Sequence, residues 1–352
     1  MPLRSSTSSS KPFGRSPWGF LLRAGLFALL PLALATAAYI YFDPFKVVHW
    51  HDEPFADSLG INKGQLSVQS FERYNPSEHF DSFILGSSVS CYYDADEWRR
   101  YLPDSARVTH LDSSTQIPTT LALFVEYLER QKVPLRHALV VLAPDVLSFT
   151  YDPERLPSLN PPAVVRNPLY ALQFHYKYLC GFLNYRYLEP YAIWRATGKR
   201  TETSGVHVFN RQPVEYTRII NEERIPAWDR LIEADVEEFY RRYPTRSFLP
   251  KDEPYHPLPR EITPEYRDAL RRVAAVFSRQ HTDYKVILGP TPALYVLNPE
   301  QQRFMRDTFG DHFVDITREF RAEQSDSTNF YDRIHYRPTL ARRYLRRAYS
   351  PR

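Results

Sequence analysis

A long apolar stretch near the N-terminal end restricts how this chain can fold more than any other feature of its sequence. Residues 18–42 are nearly all apolar, and Arg23 is the one charged residue among them. A membrane-spanning helix needs about 20 such residues, because the hydrocarbon core is about 30 Å thick. Basic residues precede the stretch and the first acidic residue is Asp43, so the positive-inside rule predicts a cytoplasmic N-terminus. The sequence therefore predicts a single-pass protein of the inner or cytoplasmic membrane with an extracytoplasmic (periplasmic) main domain.

Two other interpretations of this stretch stay open. The segment Ala35-Thr36-Ala37 has the small-x-small pattern of a signal-peptide cleavage site. A buried helix of a soluble domain is the third interpretation. The anchor and the signal peptide both send the following residues out of the cytoplasm. Residues 1–17, which are Ser-rich and basic, are predicted to be a disordered cytoplasmic tail in front of a transmembrane anchor at 18–42.

The overall composition bears on the class of protein and on its sites. A formal net charge of +4 over 352 residues gives no indication of a nucleic-acid partner. The two cysteines, Cys91 and Cys180, are too few for a disulfide framework, and they are either lone thiols or a single pair. No Gly-rich nucleotide-binding signature occurs in the sequence. We therefore expect neither an organic cofactor nor a metal.

Short apolar runs that alternate with amphipathic segments indicate the fold class. Residues 118–132 and 263–281 have apolar side chains at helical spacing. Five short runs are typical of buried strands, and they lie at 82–85, 108–111, 138–142, 285–288 and 313–316. Strands that alternate with helices form parallel sheets. We expect an α/β protein, specifically a three-layer α/β/α sandwich with a mainly parallel sheet.

The domain organisation follows from where this alternation begins and lapses. Residues 43–79 are interpreted as a connector and residues 80–350 as the extracytoplasmic domain. The alternation lapses at about 145–260, a segment rich in Pro, Tyr, Trp and Arg with helical patterns near 168–196 and 227–243. This insertion is either a substrate groove, in which aromatic rings and Arg contact the ligand, or a helical cap that covers the sheet.

The first predicted strand ends in a glycine that is followed by two serines, Gly86-Ser87-Ser88. Parallel sheets place catalytic groups at the carboxyl ends of their strands. A serine hydroxyl is a weak nucleophile that needs a base, which a third group orients. Far along the chain, Asp332 and His335 precede the predicted start of a helix at Pro338. We predict that Ser88 is a nucleophile, that His335 is its base and that Asp332 orients His335.

These motifs, in this order, resemble those of the SGNH (GDSL-like) hydrolase superfamily. There, a strand ends in a Gly-Asp-Ser-type block and an Asp-x-x-His block precedes the final helix. The α/β-hydrolase elbow G-x-S-x-G fits less well, because Ser90 stands at the position of its last glycine. The Gly-Ser-Ser variant behind an anchor resembles the membrane-anchored extracytoplasmic branch with the D-alanyl transfer and exopolysaccharide acetylation proteins. The resemblance covers residues 80–350 in the order of elements.

The resemblance also implies an oxyanion hole, where this sequence departs from the superfamily pattern. The superfamily supplies a glycine N–H from a second block and an asparagine amide from a third. Here the second block has serines in place of glycine, and the third has an aspartate, which cannot donate while it is ionised. The resemblance implies oxyanion or substrate-binding roles for Gly86, Ser87, Ser113, Ser114 and Asp145.

Two functions follow from these observations. The resemblance implies a membrane-anchored serine esterase or O-acyltransferase that acts on a cell-envelope polysaccharide or a related acyl ester. The missing glycine and asparagine favour the alternative, a non-catalytic SGNH-like scaffold that binds an envelope polymer or a membrane acyltransferase. Taken alone, Ser88 could simply cap a helix, a position that serine favours. The expected partners are the membrane, through the N-terminal helix, an envelope glycan and a membrane-bound acyltransferase, without nucleic acid.

Overall fold

The computed structural model describes residues 17–56, 58–148, 155–201, 209, 213–246 and 253–350. The predicted N-terminal tail, apart from Pro17, lies outside the described residues. The chain divides into two compact units, residues 1–43 and 44–352. In the first unit, helix α1 extends over Pro17–Phe42. Its residues 18–42 are long and apolar enough to cross a membrane, a test that a signal sequence also passes.

The second unit is built on a five-stranded parallel sheet. Its strands are β1 (Ser82–Gly86), β2 (Val108–His110), β3 (His137–Leu142), β4 (Asp283–Leu288) and β5 (Phe313–Asp315). Their order across the sheet is β2-β1-β3-β4-β5. Every residue of β1 is buried, as expected for a continuous apolar run in a parallel sheet. All five predicted strands are present, and the α/β class with a parallel sheet is confirmed.

Helices connect these strands and fill the insertion. In chain order they are α2 (Lys63–Glu78), α3 (Ala95–Arg99), α4 (Pro118–Arg130), α5 (Pro162–Val165), α6 (Pro168–Leu183), α7 (Tyr185–Thr197), α8 (Pro226–Ala234), α9 (Val236–Arg242), α10 (Pro264–Arg279), α11 (Pro299–Phe309), α12 (Arg321–Gln324) and α13 (Pro338–Tyr349). The helices predicted from apolar spacing are α4 and α10, which pack against each other. In the insertion, α6–α9 account for the two predicted helical patterns.

Helix α2 lies within the segment that the sequence interpretation treats as a connector. The side chain of Asn62 caps this helix by accepting a hydrogen bond from the N–H of Gln65 at 2.9 Å. Phe71 lies on its buried face, with its ring centroid 6.0 Å from those of Phe83 and Tyr127. Few apolar residues mark this face, so its periodicity in the sequence is weak. The contacts with β1 and α4 make α2 part of the core of the second unit.

The strand register brings the carboxyl ends of β1 and β3 together. Gly86, the last residue of β1, pairs with Val141, which is followed by the last residue of β3. Gly86 has φ +148°, a conformation that side chains rarely adopt. A Cβ at this position would press on the carbonyl oxygen of Val141. Glycine therefore allows β1 to lie close to β3 at the point where Ser87 and Ser88 leave the sheet.

We predict that Gly86→Ala lowers the free energy of unfolding by more than about 2 kcal/mol, because it adds a backbone penalty and a clash with Val141. Gly198→Ala is the matched control, since Gly198 has φ +70° but no atom within 4 Å of an added Cβ. The control should cost about 1 kcal/mol. Chemical unfolding of the full chain in detergent, followed by circular dichroism, measures both. Equal losses in the two variants would contradict the prediction.

Candidate active site

A cavity of about 540 Å³ lies where the carboxyl ends of β1 and β3 meet. Ser88, two residues after β1, lines this cavity together with His335 from the loop before α13. Asp145, three residues after β3, lines it as well. Residues that follow two neighbouring strands and a residue near the end of the chain thus share one cavity.

Ser88, His335 and Asp332 form a continuous chain of hydrogen bonds. Ser88 Oγ lies 2.7 Å from His335 Nε2. The other ring nitrogen, Nδ1, lies 2.8 Å from Asp332 Oδ2 and 2.9 Å from Oδ1. Because an ionised carboxylate only accepts, Nδ1 carries the proton and Nε2 of the neutral ring is free to accept the serine proton. This is the arrangement of a serine nucleophile with an oriented base.

The turn that contains Asp332 and His335 fixes the positions of their side chains relative to each other. The backbone N–H groups of Ile334 and His335 each donate to Asp332 Oδ1 at 2.9 Å. The N–H of Tyr331 donates to the carbonyl oxygen of His335 at 2.8 Å, which closes the turn. The ring of Tyr92 packs edge-on against the imidazole at 5.7 Å. The spacing of the two residues in the sequence thus corresponds to one tight turn that fixes the imidazole.

The insertion supports this turn from outside. Asp229 Oδ1, in α8, accepts a hydrogen bond from Tyr331 Oη and another from Arg337 Nε, each at 2.7 Å. The ring of Trp228 packs 5.8 Å from that of Tyr331. Arg337 is only 5% exposed, so its ion pair with Asp229 is largely removed from water. Helix α8 therefore fixes the residues on both sides of Asp332 and His335.

Asp332 is ionised at neutral pH. Burial by itself raises the pKa of this carboxyl, but hydrogen bonds and charge from His335 and the backbone N–H groups lower it to about 2. Arg246 Nη1 lies 2.7 Å from Asp332 Oδ2. The Arg246 guanidinium in turn lies 4.3 Å from the ring centroid of Trp228. No sequence motif marks Arg246, and only the folding of the insertion brings it to this carboxylate.

Of the five residues expected at an oxyanion or substrate site, three line the cavity and two do not. Ser87, Ser114 and Asp145 line the cavity. Gly86 and Ser113 are buried beside it, outside the wall that the described residues form. The N–H of Ser113 donates to the carbonyl oxygen of Gly86 at 3.2 Å. That hydrogen bond links the ends of β1 and β2, so the Ser113 N–H is already used within the fold.

The pKa of Asp145 is shifted in the direction opposite to that of Asp332. Its Oδ1 is buried and has no hydrogen-bond partner among the described residues. Burial raises the pKa of this carboxyl, and hydrogen bonds from the backbone N–H groups of Asp145 and Val146, together with the charge of His335, oppose the shift only in part. The carboxylic acid form of Asp145 therefore persists to higher pH than that of an exposed aspartate.

The sequence interpretation missed a group of charged residues in the cavity wall. Lys63 Nζ, at the start of α2, is ion-paired with Glu223 and lies 3.8 Å from Asp112 Oδ1. Burial by itself lowers the pKa of Lys63, but these carboxylates raise it above its ordinary value, so the ammonium stays charged. Asp112 follows β2, so a search for polar residues at the carboxyl ends of the predicted strands would have indicated it. Lys63 and Glu223 carry no such signal.

The cysteines are free thiols, so the alternative of a single disulfide is excluded. Cys91 lines the cavity, and its Sγ lies 2.8 Å from the carbonyl oxygen of Ser88. Burial raises the pKa of Cys91, which keeps it a thiol and a poor nucleophile. Cys180 is exposed on α6. Among the described residues, no group of three His, Cys, Asp or Glu side chains is arranged to hold a metal ion.

Comparison with known proteins adds no assignment to this geometry. The sequence matches no protein-family model, and it matches no curated protein closely enough to indicate a relative. The site is therefore interpreted from its own residues.

The lowered pKa of Asp332 makes its contribution to stability depend on pH. A carboxyl whose pKa is 3.8 when unfolded and about 2 when folded adds at most about 2 kcal/mol. This contribution is complete above the unfolded pKa and disappears as the pH falls through the folded one. The difference in unfolding free energy between wild type and Asp332→Asn should therefore narrow as the pH is lowered from about 5 to about 3.

Chemical unfolding at a series of pH values measures this difference. Asp268→Asn is the control, because the Asp268 side chain is 65% exposed and its replacement should leave the unfolding curve in place. The prediction would be contradicted if the difference in unfolding free energy between the wild type and Asp332→Asn did not change with pH.

Proposed function

We propose that this protein is a membrane-anchored extracytoplasmic serine esterase or O-acyltransferase with the three-layer fold of the SGNH-like hydrolases. The observation that carries the proposal is the hydrogen-bonded chain from Ser88 through His335 to Asp332 in the wall of a cavity. A serine that merely caps a helix has no need of an oriented imidazole. The retained α1 helix would anchor the domain at the outer face of the membrane.

The geometry supports a double-displacement mechanism. Ser88 Oγ attacks the carbonyl carbon of an acyl ester while His335 Nε2 takes its proton. The ionised Asp332 stabilises the imidazolium that forms. The tetrahedral intermediate expels the alcohol, to which His335 returns the proton, and an acyl-serine remains. Water or a sugar hydroxyl, deprotonated by His335, then attacks the acyl-serine and restores Ser88.

Three groups are suited to hold the oxyanion of the intermediate. The backbone N–H groups of Ser88 and Ser114 have no hydrogen-bond partner among the described residues. Asp145 stands where the resemblance implies an asparagine amide. In its neutral form a carboxylic acid donates a hydrogen bond much as an amide does, and burial favours that form. We propose that Asp145 acts as a protonated donor, which compensates for the missing asparagine.

The cavity is suited to a small acyl group on a polar carrier. Its volume of about 540 Å³ lies within the range of small-molecule sites. Phe55, Tyr92 and Phe209 provide aromatic surface, and Lys63, Glu223 and Arg246 provide charges. Aromatic faces pack on sugar rings, and charged groups bind hydroxyls and anions. This combination favours an O-acylated envelope glycan, with a membrane-bound acyltransferase as the source of the acyl group.

A non-catalytic scaffold is the second candidate. The observation that favours it is the loss of the expected second-block donor, since the Ser113 N–H is committed to Gly86. A scaffold would bind an envelope polymer or a membrane acyltransferase through the same cavity without forming an acyl-serine. The two candidates therefore differ in whether Ser88 becomes covalently modified.

We predict that a fluorophosphonate probe labels the full chain in detergent at Ser88. Ser88→Ala should abolish the adduct, and His335→Ala should slow labelling by at least about 10²-fold, because the base is lost. Ser77→Ala and His49→Ala are matched controls, since both residues are exposed and neither lines the cavity. Mass spectrometry of the peptides locates the adduct. If the folded protein is not labelled at Ser88, the enzyme hypothesis is contradicted and the scaffold hypothesis is favoured.

The protonated Asp145 gives a second prediction, on the pH dependence of the rate. As the pH rises and Asp145 ionises, its negative charge should repel the oxyanion and slow the wild type. Asp145→Asn keeps a donor at every pH, so the ratio of the Asn variant's rate to the wild-type rate should rise with pH. Titrations of groups that do not interact with Asp145 are common to both proteins and cancel in this ratio.

Hydrolysis of an activated acetate ester between about pH 5 and 9 measures the ratio, a range in which other side chains also titrate. Asp145→Ala should lose about 10²–10³ in rate at low pH, as expected when an oxyanion donor is removed. An Asn variant that is inactive throughout would show that Asp145 acts as a carboxylate instead.

A further inference from the structure

Helices α6 and α7 expose an apolar surface that their fold does not use. Six large apolar side chains of this helix pair are between 36% and 77% exposed: Leu169, Leu172, Tyr176, Leu183, Tyr185 and Leu188. Elsewhere among the described residues of the second unit, only Ile219 and Ile334 are large, apolar and exposed. Exposed apolar residues normally occur singly, and a contiguous patch marks an interaction site.

Helix α6 is apolar on two opposite sides. Phe174, Tyr178 and Phe182 recur every four residues and are buried. Leu172 and Tyr176 lie on the opposite side, given about 100° of rotation per residue, and they are 71% and 64% exposed. A surface helix of a soluble domain is normally polar on its outer side. One side of α6 therefore packs on the domain, and the other is suited to an apolar surrounding.

The chain connects this helix pair directly to the end of α1. Phe45 is 1% exposed, and its ring packs 5.2 Å from that of Tyr178 in α6 and 5.5 Å from that of Tyr187 in α7. Phe45 follows Phe42, the last residue of α1, by three positions. Three trans peptide units span at most about 11 Å between Cα atoms. Phe45, which packs on both helices, is thus tethered within that distance of the point where an anchored chain would leave the bilayer.

The charges of the helix pair are typical of a membrane surface. Helices α6 and α7 contain Lys177, Arg186 and Arg195 but one acidic residue, Glu189. These charges make the pair unsuited to cross a bilayer. Basic and aromatic residues next to leucines are the composition of helices that lie in the headgroup region, where anionic lipids attract Lys and Arg.

We propose that α6 and α7 lie on the outer surface of the bilayer that α1 spans, with Leu169, Leu172 and Tyr176 inserted at the boundary between headgroups and acyl chains. This proposal rests on the membrane anchor of the proposed function. Helix α6 also touches the cavity wall, because Tyr178 Oη donates to the carbonyl oxygen of Leu156, between wall residues Arg155 and Pro157. The contact holds the cavity at a fixed height above the lipid, within reach of an acyl donor delivered at the membrane surface.

Cys180 provides the test, because it is exposed on α6 near the apolar stripe. The full chain with Cys91→Ala is spin-labelled at Cys180 and reconstituted in vesicles of phosphatidylethanolamine and phosphatidylglycerol. Collisions with oxygen, which partitions into lipid, are compared with collisions with a water-soluble nickel complex. We expect oxygen to dominate at a depth of about 5–10 Å. A label at Asp307→Cys, an exposed position on α11, in a chain with both native cysteines replaced by Ala, should favour the nickel complex.

Leu169→Glu with Leu172→Glu should reverse the oxygen preference at Cys180. Both side chains are exposed, so the unfolding midpoint should stay that of the parent chain. A parent chain that resists alkaline carbonate extraction yet shows a nickel-accessible Cys180 would overturn the proposal and leave the anchor intact. Release by carbonate would overturn the anchor and the proposal together. Loss of both kinds of collision would also overturn the proposal, since it would indicate that a second copy of the chain covers the surface.

Discussion

A half-buried carboxylate, that of Asp332, joins parts of the chain that are far apart in sequence. It accepts hydrogen bonds from two backbone N–H groups of its own turn, from the imidazole of His335 and from the guanidinium of Arg246. A buried charge costs several kcal/mol of desolvation unless its lone pairs are satisfied. Here every partner also fixes geometry, because the turn sets the imidazole and Arg246 ties the insertion to the turn. The electrostatics of the site and the local fold therefore depend on the same contacts.

The pKa values of two carboxyl groups near one imidazole are shifted in opposite directions because their surroundings differ. Asp332 is surrounded by donors and stays ionised, whereas Asp145 has a buried oxygen without a partner among the described residues. In the proposed mechanism, this difference would let Asp332 stabilise positive charge on His335 while Asp145 donates a hydrogen bond to negative charge on a substrate oxygen. A residue type that departs from the superfamily pattern is then compatible with the same chemistry.

The proposed contacts with the membrane relate the site to its surroundings. A single span leaves a domain free to rotate about its linker, but a second apolar contact removes most of that freedom. In this chain the linker is very short, and Phe45 joins it to α6 and α7 through its contacts with Tyr178 and Tyr187. An acyl donor that arrives at the membrane surface would then meet a cavity at a constant height and orientation.

The sequence by itself determined the elements whose signals are local. The five strands are continuous apolar runs, and burial in a parallel sheet requires such runs. The apolar stretch at 18–42 and the pairing of Asp332 with His335 are likewise recognisable from residues that are close together in the sequence. Ser88 was recognisable because a strand end and a glycine mark it.

Only the tertiary structure decided which distant residues meet. Helix α2 has a weak periodicity, and its contacts with β1 and α4 place it in the core. No local sequence signal indicates the ion pairs of Lys63 and Arg246 or the unpaired state of the two cysteines. Whether distant residues meet depends on how the whole chain folds. The exposed side of α6 was equally hidden: its leucines look like core residues in the sequence, and the side that packs on the domain is set by contacts made elsewhere.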